Sequence, residues 1–389
     1  MSFQPSRRLL LSGAVGASVA GVAGCASGVA SSTQLVDEAF PPESYGAANP
    51  YLLGPAEGVA LLSRNENPYG PSPSALSMIE YAARKGAYYT SFEAMETLAS
   101  LIAEKNGVAP EQITLTTGSG EALSAIAMIY GQEGPILAPR LFWDTTALYA
   151  KRLDMAEIQR VDLTAEMGVD LSGIEAQVSE STGLVQLCNP NNPTGIALPG
   201  DVIRPAVQRM AEKTTVLVDE AYIELADDPA DTSCVGLVQA GHDVIISRTF
   251  SKIYGMAGIR MGYTISSSEV AERIRNTAMS WSPSTSFAAG IGCYNDEAFL
   301  QMSKSKVVEA REMVMATLDE LGLPYLPSQT NFVYFKSGKP ANDIQQAMMD
   351  RKISVRGQYM DYADWTRVSM GRIEDVERFC LTLPEVLGA

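Results

Sequence analysis

The chain has 389 residues, 46% of them hydrophobic and 19% charged, so it can bury a sizeable core and is neither disordered nor collagenous. Its formal net charge of −16 excludes a nucleic-acid-binding protein of the usual basic kind. The single histidine, His242, excludes a histidine-based catalytic triad, a histidine-rich zinc site and an HExxH protease. Acid–base chemistry must therefore come from Lys, Asp, Glu, Tyr or Cys side chains.

The first residues predict an export signal. Arg7 and Arg8 precede a mildly apolar run rich in Gly, Ala and Val, a pattern typical of a twin-arginine signal. The Val-Ala-Gly-Cys sequence that ends at Cys25 resembles a lipobox, where a lipid is attached to the cysteine; the alternative is an ordinary signal with an incidental cysteine. We therefore expect residues 1–25 to be a signal and 26–58 a tether. The mature protein would be periplasmic and would reach the membrane only through a lipid at Cys25.

Short apolar runs alternate with helical stretches between about residues 89 and 280. Each run is rich in β-branched residues or leucine and is bounded by Gly, Pro, Asn or Asp. The predicted strands are Ile113–Thr117, Pro135–Ala138, Leu184–Cys188, Thr215–Val218, Val244–Ser247 and Gly262–Ile265. Because helical segments such as Glu121–Tyr130 and Asp201–Lys213 separate the strands, the sequence predicts an α/β fold with a mostly parallel central sheet covered by helices.

Two flanking parts complete the predicted organisation. Residues 59–88 form an arm before a large domain at 89–280, and residues 281–389 form a smaller α+β domain. The predicted elements of that domain are a helix at Asp296–Leu321 and strands at Asn331–Phe335, Ile353–Arg356 and Arg367–Met370. The four cysteines after Cys25 are far apart without C-x-x-C spacing, so we expect buried free thiols, or one disulfide at most, and no metal site.

Two loops after predicted strands are rich in residues that favour turns. Ser119 and Gly120 open a helix after Gly118, where free backbone N–H groups suit a phosphate; a tight strand–helix turn explains this loop equally well. Asn192 lies in Asn-Pro-Asn-Asn-Pro-Thr-Gly, which on its own fits a turn, although two Asn-Pro steps would also aim an amide.

Two further loops carry charged and phenolic side chains. Asp219 ends a predicted strand and Tyr222 follows three residues later, which alone fits a helix cap with a surface tyrosine. Lys252 and Arg260 lie eight positions apart among hydroxyls and glycines, which alone fits a solvated basic loop. All four loops belong to one predicted sheet, so they can converge at its edge. Together they offer the amine, carboxylate, hydrogen-bond donors and phosphate cradle that pyridoxal 5′-phosphate requires.

From Leu61 to the C-terminus the chain resembles a fold-type I pyridoxal-phosphate-dependent aminotransferase of class I/II, specifically the histidinol-phosphate aminotransferase branch. The segment at residues 63–73 is similar to that branch's N-terminal signature, and Asn-Pro-Thr-Gly, Asp-Glu-Ala-Tyr, Thr-Phe-Ser-Lys and Gly-Ile-Arg-Met-Gly-Tyr complete the set. The resemblance implies the aspartate aminotransferase-like fold, pyridoxal 5′-phosphate as cofactor, a homodimer, and transamination between an amino donor and a 2-oxo acid. A decarboxylase or lyase on the same scaffold, or a non-catalytic cofactor carrier, is the alternative.

The resemblance also implies roles for individual residues. Lys252 would be the cofactor lysine and the proton-transfer group, Asp219 would pair with the pyridine nitrogen, and Tyr222 and Asn192 would bind the ring oxygen. The residues implied to hold the phosphate are Ser119, Gly120, Thr249, Ser251 and Arg260, with Tyr89 reaching in from the neighbouring subunit. The residues implied to bind substrate are Asn65, Arg356 and Arg367. The family's Pro-x-Tyr pattern reads Pro-Arg-Leu-Phe-Trp here, so the ring that stacks on the cofactor is Trp143 or, as second choice, Phe142.

Overall fold

The computed structural model describes residues 54–278 and 281–388. The predicted signal, the lipid site at Cys25 and most of the predicted tether lie outside these ranges. Gly58 and the described residues that follow it form one compact unit. The division of this unit into an arm, a large domain and a small domain stays a prediction.

The described residues form short strands and longer helices that alternate along the chain. The strands are β1 (Ala60–Leu61), β2 (Ile113–Thr116), β3 (Ile136–Pro139), β4 (Ile158–Val161), β5 (Leu184–Cys188), β6 (Val216–Asp219), β7 (Val244–Thr249), β8 (Gly262–Ile265), β9 (Phe332–Lys336), β10 (Ile353–Ser354) and β11 (Trp365–Ser369). The helices are α1 (Pro73–Ala83), α2 (Phe92–Asn106), α3 (Ser119–Gly131), α4 (Thr145–Arg152), α5 (Leu171–Gln177), α6 (Gly200–Ala211), α7 (Pro229–Thr232), α8 (Val235–Gln239), α9 (Ser268–Thr277), α10 (Ser284–Cys293), α11 (Glu297–Glu320), α12 (Ala341–Met349) and α13 (Ile373–Leu387).

The central sheet has seven strands in the order β2-β8-β7-β6-β5-β3-β4. Strands β4, β3, β5, β6 and β7 pair in parallel, whereas β8 runs antiparallel to both of its neighbours, β2 and β7. The predicted α/β class with a mostly parallel sheet is therefore confirmed. Because β8 is reversed, the residues that precede it lie at the edge where the parallel strands end.

The strands of the sheet centre are buried along their whole length, which fits their continuous apolar runs. The predicted bounds of β5 and β8 are the observed ones, and those of the other predicted strands of this sheet agree within two residues. The strand β4 at Ile158–Val161 was not among the predicted strands. That strand lies at the sheet edge and only Val161 is fully buried, so it lacks the apolar run that marks the other strands.

The C-terminal residues form two small pairings beside this sheet. Strands β9 and β11 pair antiparallel, and β1 pairs in parallel with β10. The pairing of β1 with β10 joins the predicted arm to the C-terminal residues. The long helix α11 is confirmed within one residue at each end, whereas the strand predicted at Ile353–Arg356 ends at Ser354.

The four described cysteines are free thiols, as expected. Cys188, Cys234 and Cys293 are buried and Cys380 is half-buried. Burial raises the pKa of all four thiols, that of Cys293 to about 12. Within residues 54–278 and 281–388, no helix combines the length and the apolar character needed to cross a bilayer.

Candidate active site

A cavity lies at the edge of the sheet where β5, β6 and β7 end. With the exception of Tyr89 and the second-choice ring Phe142, every predicted site residue lines it. These residues are Asn65, Ser119, Gly120, Trp143, Asn192, Asp219, Tyr222, Thr249, Ser251, Lys252, Arg260, Arg356 and Arg367. The sequence thus predicted a set of residues, from eight separate segments, that the fold brings together.

Lys252 lies in the loop after β7, half-buried in this cavity. Its Nζ donates a hydrogen bond to the backbone oxygen of Asn65 at 3.3 Å and lies 5.5 Å from the ring centroid of Tyr222. Burial lowers the pKa of Lys252 to about 8, and the nearby Arg367 guanidinium acts in the same direction, while Asp219 opposes both. A substantial fraction of this amine is therefore neutral near pH 8, as a nucleophile or base must be.

Asp219 is the last residue of β6 and is 4% exposed. Its Oδ1 atom is buried and has no hydrogen-bond partner in the part of the chain that the structure describes. Burial raises the pKa of Asp219 to about 7, although the positive charge of Lys252 opposes this. A buried carboxylate oxygen without a donor is unfavourable, and an N–H from a ligand would remove that cost.

A series of hydrogen bonds links Tyr222 to Arg367 and Ser369. The Tyr222 hydroxyl accepts hydrogen bonds from Asn65 Nδ2 at 3.0 Å and Asn192 Nδ2 at 3.3 Å. Asn192 Oδ1 in turn accepts from Arg367 Nη1 at 2.7 Å, and Asn65 exchanges hydrogen bonds with Ser369. Burial raises the pKa of the Tyr222 phenol, so it stays protonated. These hydrogen bonds fix the orientation of the Asn65 and Asn192 side-chain amides.

The loop before α3 and the residues around Arg260 form a cradle of N–H groups and positive charge. Gly118 precedes α3 with a φ of 74°, and a Cβ at this position would overlap the Arg260 guanidinium. Thr249 Oγ1 donates to Ser251 Oγ at 3.0 Å, and Arg260 Nη1 lies 3.5 Å from the same oxygen. The N-terminus of a thirteen-residue helix beside an arginine and hydroxyls suits a phosphate.

Two arginines occupy the C-terminal side of the cavity. Arg367, on β11, is 4% exposed; its Nη2 donates to the backbone oxygen of Ser63 at 2.8 Å, and its Nε has no partner within the described ranges. Arg356 is exposed, and its backbone N–H donates to the Arg367 oxygen at 3.0 Å. The Tyr359 ring contacts both guanidinium groups.

The structure separates the two candidates for the stacking ring. Trp143 lines the cavity and is 39% exposed, whereas Phe142 is 5% exposed and packs in the core. Arg160 on β4 holds this segment: it donates to Asp144 at 2.6 Å, and its guanidinium lies 5.6 Å from the Phe142 ring centroid. Stacking by Trp143 stays a prediction, and Phe142 does not reach the cavity.

Like Phe142, Tyr89 does not line the cavity of its own chain. Its side chain is 94% exposed, just before α2. The expectation that it acts in a neighbouring subunit requires such exposure in an isolated chain, but exposure alone does not test it.

A buried ion pair lies behind the cavity. Glu220 follows Asp219, and its fully buried carboxylate accepts hydrogen bonds from Arg248 Nη2 at 2.8 Å and from the Cys234 N–H at 2.7 Å. Arg248 Nη1 also donates to Asn106 Oδ1 at 2.8 Å. These contacts tie β6 to β7, the two strands whose ends carry Asp219 and Thr249.

Sequence reasoning missed several residues that line the cavity. These are Ser63, Arg64, Glu66, Thr145, Ala221, Ala257 and Tyr359. The first three belong to the N-terminal signature on which the resemblance rests, so that signature could have identified them. Tyr359 comes three residues after the strand predicted at Ile353–Arg356 but belongs to no motif, so the sequence did not single it out.

The groups present fit pyridoxal 5′-phosphate. The cavity offers an amine with a lowered pKa, a buried carboxylate with one oxygen unpartnered among the described residues, a protonated phenol and a cationic cradle at a helix N-terminus. An aldehyde, a pyridine nitrogen, a ring oxygen and a phosphate are the complementary groups of that cofactor.

The sequence model for aminotransferase class I and II matches residues 57–383. The chain belongs to this family. A histidinol-phosphate aminotransferase of Halalkalibacterium halodurans is 33% identical to it over 85% of this chain and 90% of the relative. That of Symbiobacterium thermophilum is also 33% identical, over 84% of this chain and 90% of the relative. The structure of a histidinol-phosphate aminotransferase from Sinorhizobium meliloti in complex with pyridoxal-5′-phosphate has a TM-score of 0.78 and 28% identity, covering 90% of this chain and 98% of that one.

Family membership confirms the activity predicted from the sequence. The enzyme is a pyridoxal-phosphate-dependent aminotransferase, and its fold is that of the aspartate and histidinol-phosphate aminotransferases.

Proposed function

We propose that this aminotransferase acts on an amino donor that carries a phosphate or a carboxylate, with histidinol phosphate as the first candidate. The names of the relatives support this donor, and so does the charge of the cavity. Its basic side chains are Arg64, Lys252, Arg260, Arg356 and Arg367, and its acidic ones are Glu66 and Asp219. In a chain with a net charge of −16, such a positive cavity would concentrate anions.

Two sets of cationic groups in this cavity have different partners, and this observation carries the proposal. Arg260 contacts Ser251 and Ala257, beside the start of α3. Arg367 contacts Asn192 and Ser63 and is accompanied by Arg356. One phosphate, that of the cofactor, would occupy the first set. The second set is then left for an anionic group of the substrate, which guanidinium groups bind through paired N–H donors.

The residues around the cofactor would divide the remaining work. Pyridoxal 5′-phosphate, when bound, supplies an electron-accepting ring that stabilises negative charge on the donor's α-carbon. Asp219 would hold a proton at the ring nitrogen, and Tyr222 with Asn192 would donate to the ring oxygen. Ser119, Gly120, Thr249, Ser251 and Arg260 would hold the phosphate, while Trp143 would cover the ring.

Lys252 would provide both the covalent attachment and the proton transfer. Its pKa of about 8 leaves the free amine able to accept the α-proton at neutral to slightly alkaline pH. The hydrogen bond to the Asn65 oxygen keeps Nζ within the cavity, where it can return the proton. Asn65 would also link the substrate side to Tyr222.

We further propose that the enzyme assembles as a homodimer in which Tyr89 completes the phosphate site of the other subunit. Tyr88, Tyr89, Phe92 and Trp281 are all more than half exposed in the single chain. Large exposed aromatic side chains that lie near one another in a folded chain favour burial against a partner.

The donor assignment is tested with L-histidinol phosphate and L-histidinol, which differ only in the phosphate. With 2-oxoglutarate as acceptor, we expect kcat/KM to be higher for the phosphorylated donor by about 30-fold or more, the loss expected when a charge pair of about 2 kcal/mol is removed. Aromatic amino acids and glutamate extend the panel to carboxylate donors. Lys252→Ala is the control and should be inactive with all of them. Preference for uncharged donors would overturn the proposal.

A further inference from the structure

Tyr359 contacts both arginines on the C-terminal side of the cavity. Its ring centroid lies 5.2 Å from Arg356 Cζ and 5.4 Å from Arg367 Cζ. Both distances are within the range, about 6 Å, at which the face of an aromatic ring attracts a cation. One ring therefore stabilises two like charges.

The backbone brings these two charges together. The Arg356 N–H donates to the Arg367 oxygen in an antiparallel bridge, so the two residues lie opposite each other. Like charges at such a position repel, and the repulsion is stronger away from water. Without a compensating contact, the exposed Arg356 side chain would turn away from the buried Arg367 into solvent.

The Tyr359 ring is held by protein contacts and does not depend on a ligand for its position. It packs edge-on against buried Tyr334, with ring centroids 6.1 Å apart and planes at 85°. The backbone N–H of Tyr362 donates to the Tyr359 oxygen at 2.9 Å, which closes the turn. Asp361 within this turn pairs with Arg140 at 2.9 Å.

Both guanidinium groups retain free donors. Two nitrogens of Arg367 are bound by Asn192 and Ser63, but its Nε has no partner in the described part of the chain. The Arg356 side chain makes no hydrogen bond or ion pair with any described residue, so Tyr359 is what orients it. The arrangement leaves N–H groups of two cations available beside one ring.

We propose that Tyr359 is a positioning residue that determines specificity: by contacting both guanidinium groups it holds Arg356 beside Arg367, where both are available to a phosphate or carboxylate of the substrate. The choice of an anionic donor rests on the proposed function. The contacts between the Tyr359 ring and the two guanidinium groups do not depend on the proposed function.

Calorimetric titration of the holoenzyme with inorganic phosphate and with succinate tests the inference. Neither probe has an amino group, so binding is measured without turnover. We expect Tyr359→Leu to weaken the tighter-binding probe about fivefold or more, and Tyr359→Phe, which keeps the ring, to stay within about twofold of wild type. The visible absorbance of the bound cofactor should not change in either variant.

Tyr362→Leu is the matched control. Tyr362 lies in the same turn and packs against the same apolar cluster, but it does not line the cavity. We expect the Tyr362→Leu variant to bind both probes with wild-type affinity. An equal loss in Tyr362→Leu would mean that the turn is merely loosened, and would overturn the specific role of Tyr359.

A double-mutant cycle with Arg356→Ala tests whether Tyr359 acts through that arginine. If it does, adding Tyr359→Leu to Arg356→Ala weakens binding by less than about twofold further. Additive losses, unchanged affinity in Tyr359→Leu, or no binding of either probe to the wild type would each overturn the inference. Probe binding without turnover of histidinol phosphate would overturn the donor assignment alone.

Discussion

The carboxyl group of Asp219 is buried at the end of β6 with one oxygen unpartnered among the described residues, and burial raises its pKa to about 7. Above pH 7 the folded chain without cofactor therefore holds a charged carboxylate that it stabilises less well than water stabilises it in the unfolded chain. The raised pKa disfavours folding above pH 7, and the effect diminishes as the pH falls toward the unfolded value near 4. A ligand N–H that donates to this oxygen would stabilise the charged carboxylate and so favour the folded state.

We predict that Asp219→Asn stabilises the cofactor-free protein at pH 8 and disables the holoenzyme. The gain in the free energy of unfolding should be on the order of a few kcal/mol at pH 8 and clearly smaller at pH 5, where the native carboxyl is already protonated. The transamination rate should fall by about 100-fold or more, because the ring nitrogen loses its charged partner. Urea unfolding at the two pH values and steady-state rates provide the measurements.

Asp201→Asn, at an exposed position in the first turn of α6, is the control for the Asp219 variant. It should change neither the pH dependence of stability nor the rate. A loss of stability in Asp219→Asn at pH 8 would show that the carboxylate has a native partner.

At the scale of elements, the reversed strand β8 allows the start of α3 and Arg260 to share one cradle. Arg260 precedes β8 and therefore lies at the edge where the parallel strands end. Helix α3 begins against this strand so closely that a Cβ on Gly262 would overlap the backbone nitrogen of Ser119. Glycine at both Gly118 and Gly262 is thus required by the approach of the two segments.

We expect Gly118→Ala to weaken cofactor binding. The added Cβ overlaps the Arg260 guanidinium, and the φ of 74° is itself unfavourable for alanine, so Arg260 or the turn must move. The dissociation constant for pyridoxal 5′-phosphate, measured by titration of the cofactor-free protein, should rise about tenfold or more. Gly236→Ala, where a Cβ meets no atom within 4 Å, should bind the cofactor like wild type. Normal affinity in Gly118→Ala would mean that this turn does not contact the phosphate.

Particular elements show what the sequence could reveal about this fold and what it could not. Apolar runs bounded by turn residues located β5 and β8, because full burial demands such runs. The antiparallel direction of β8 could not be predicted from the sequence, because a buried strand has the same composition whichever way it runs. The contacts of Tyr359 depend on the folding of a turn without sequence signals, and no pattern of spacing predicts them. Phe142 and Trp143 are adjacent, so only the structure could show which one faces the core.

At the scale of the whole molecule, the exposed aromatic residues near α2 are the feature that the single chain does not explain. Phe92 is 67% exposed, yet its ring packs edge-on against exposed Trp281 at 6.0 Å. A second copy of the chain is the partner that would bury this cluster and bring Tyr89 to a cavity.

For the homodimer we predict complementation between two impaired protomers. Tyr89→Phe should weaken cofactor retention, and mixing it with Lys252→Ala should restore one intact site per hybrid dimer, up to about a quarter of wild-type activity in a random mixture. Transaminase activity after subunit exchange is the measurement. The control replaces Tyr89→Phe with Tyr88→Phe, a variant that should already be active before it is mixed. An active monomer in sedimentation velocity would contradict the shared site.

The predicted export signal gives an expectation for the whole chain that rests on the sequence alone. The twin-arginine route carries folded proteins, so a cofactor loaded in the cytoplasm could travel inside the enzyme. Replacing Arg7 and Arg8 with lysine should retain active holoenzyme in the cytoplasmic fraction, and Cys25→Ser should release activity from the membrane fraction. Normal export of the double-lysine variant would show that the twin-arginine interpretation is wrong.

Burial and raised pKa values make Cys188, Cys234 and Cys293 poorly reactive toward thiol oxidants. At a pKa of about 12, roughly one Cys293 side chain in a hundred thousand is a thiolate at pH 7, and only the thiolate takes part in disulfide exchange. Cys188 and Cys234 are buried as well, so oxidants and glutathione have little access to them. The described fold contains no disulfide that a reductant could break. These three buried cysteines should therefore remain free thiols in a reducing and in an oxidising compartment alike.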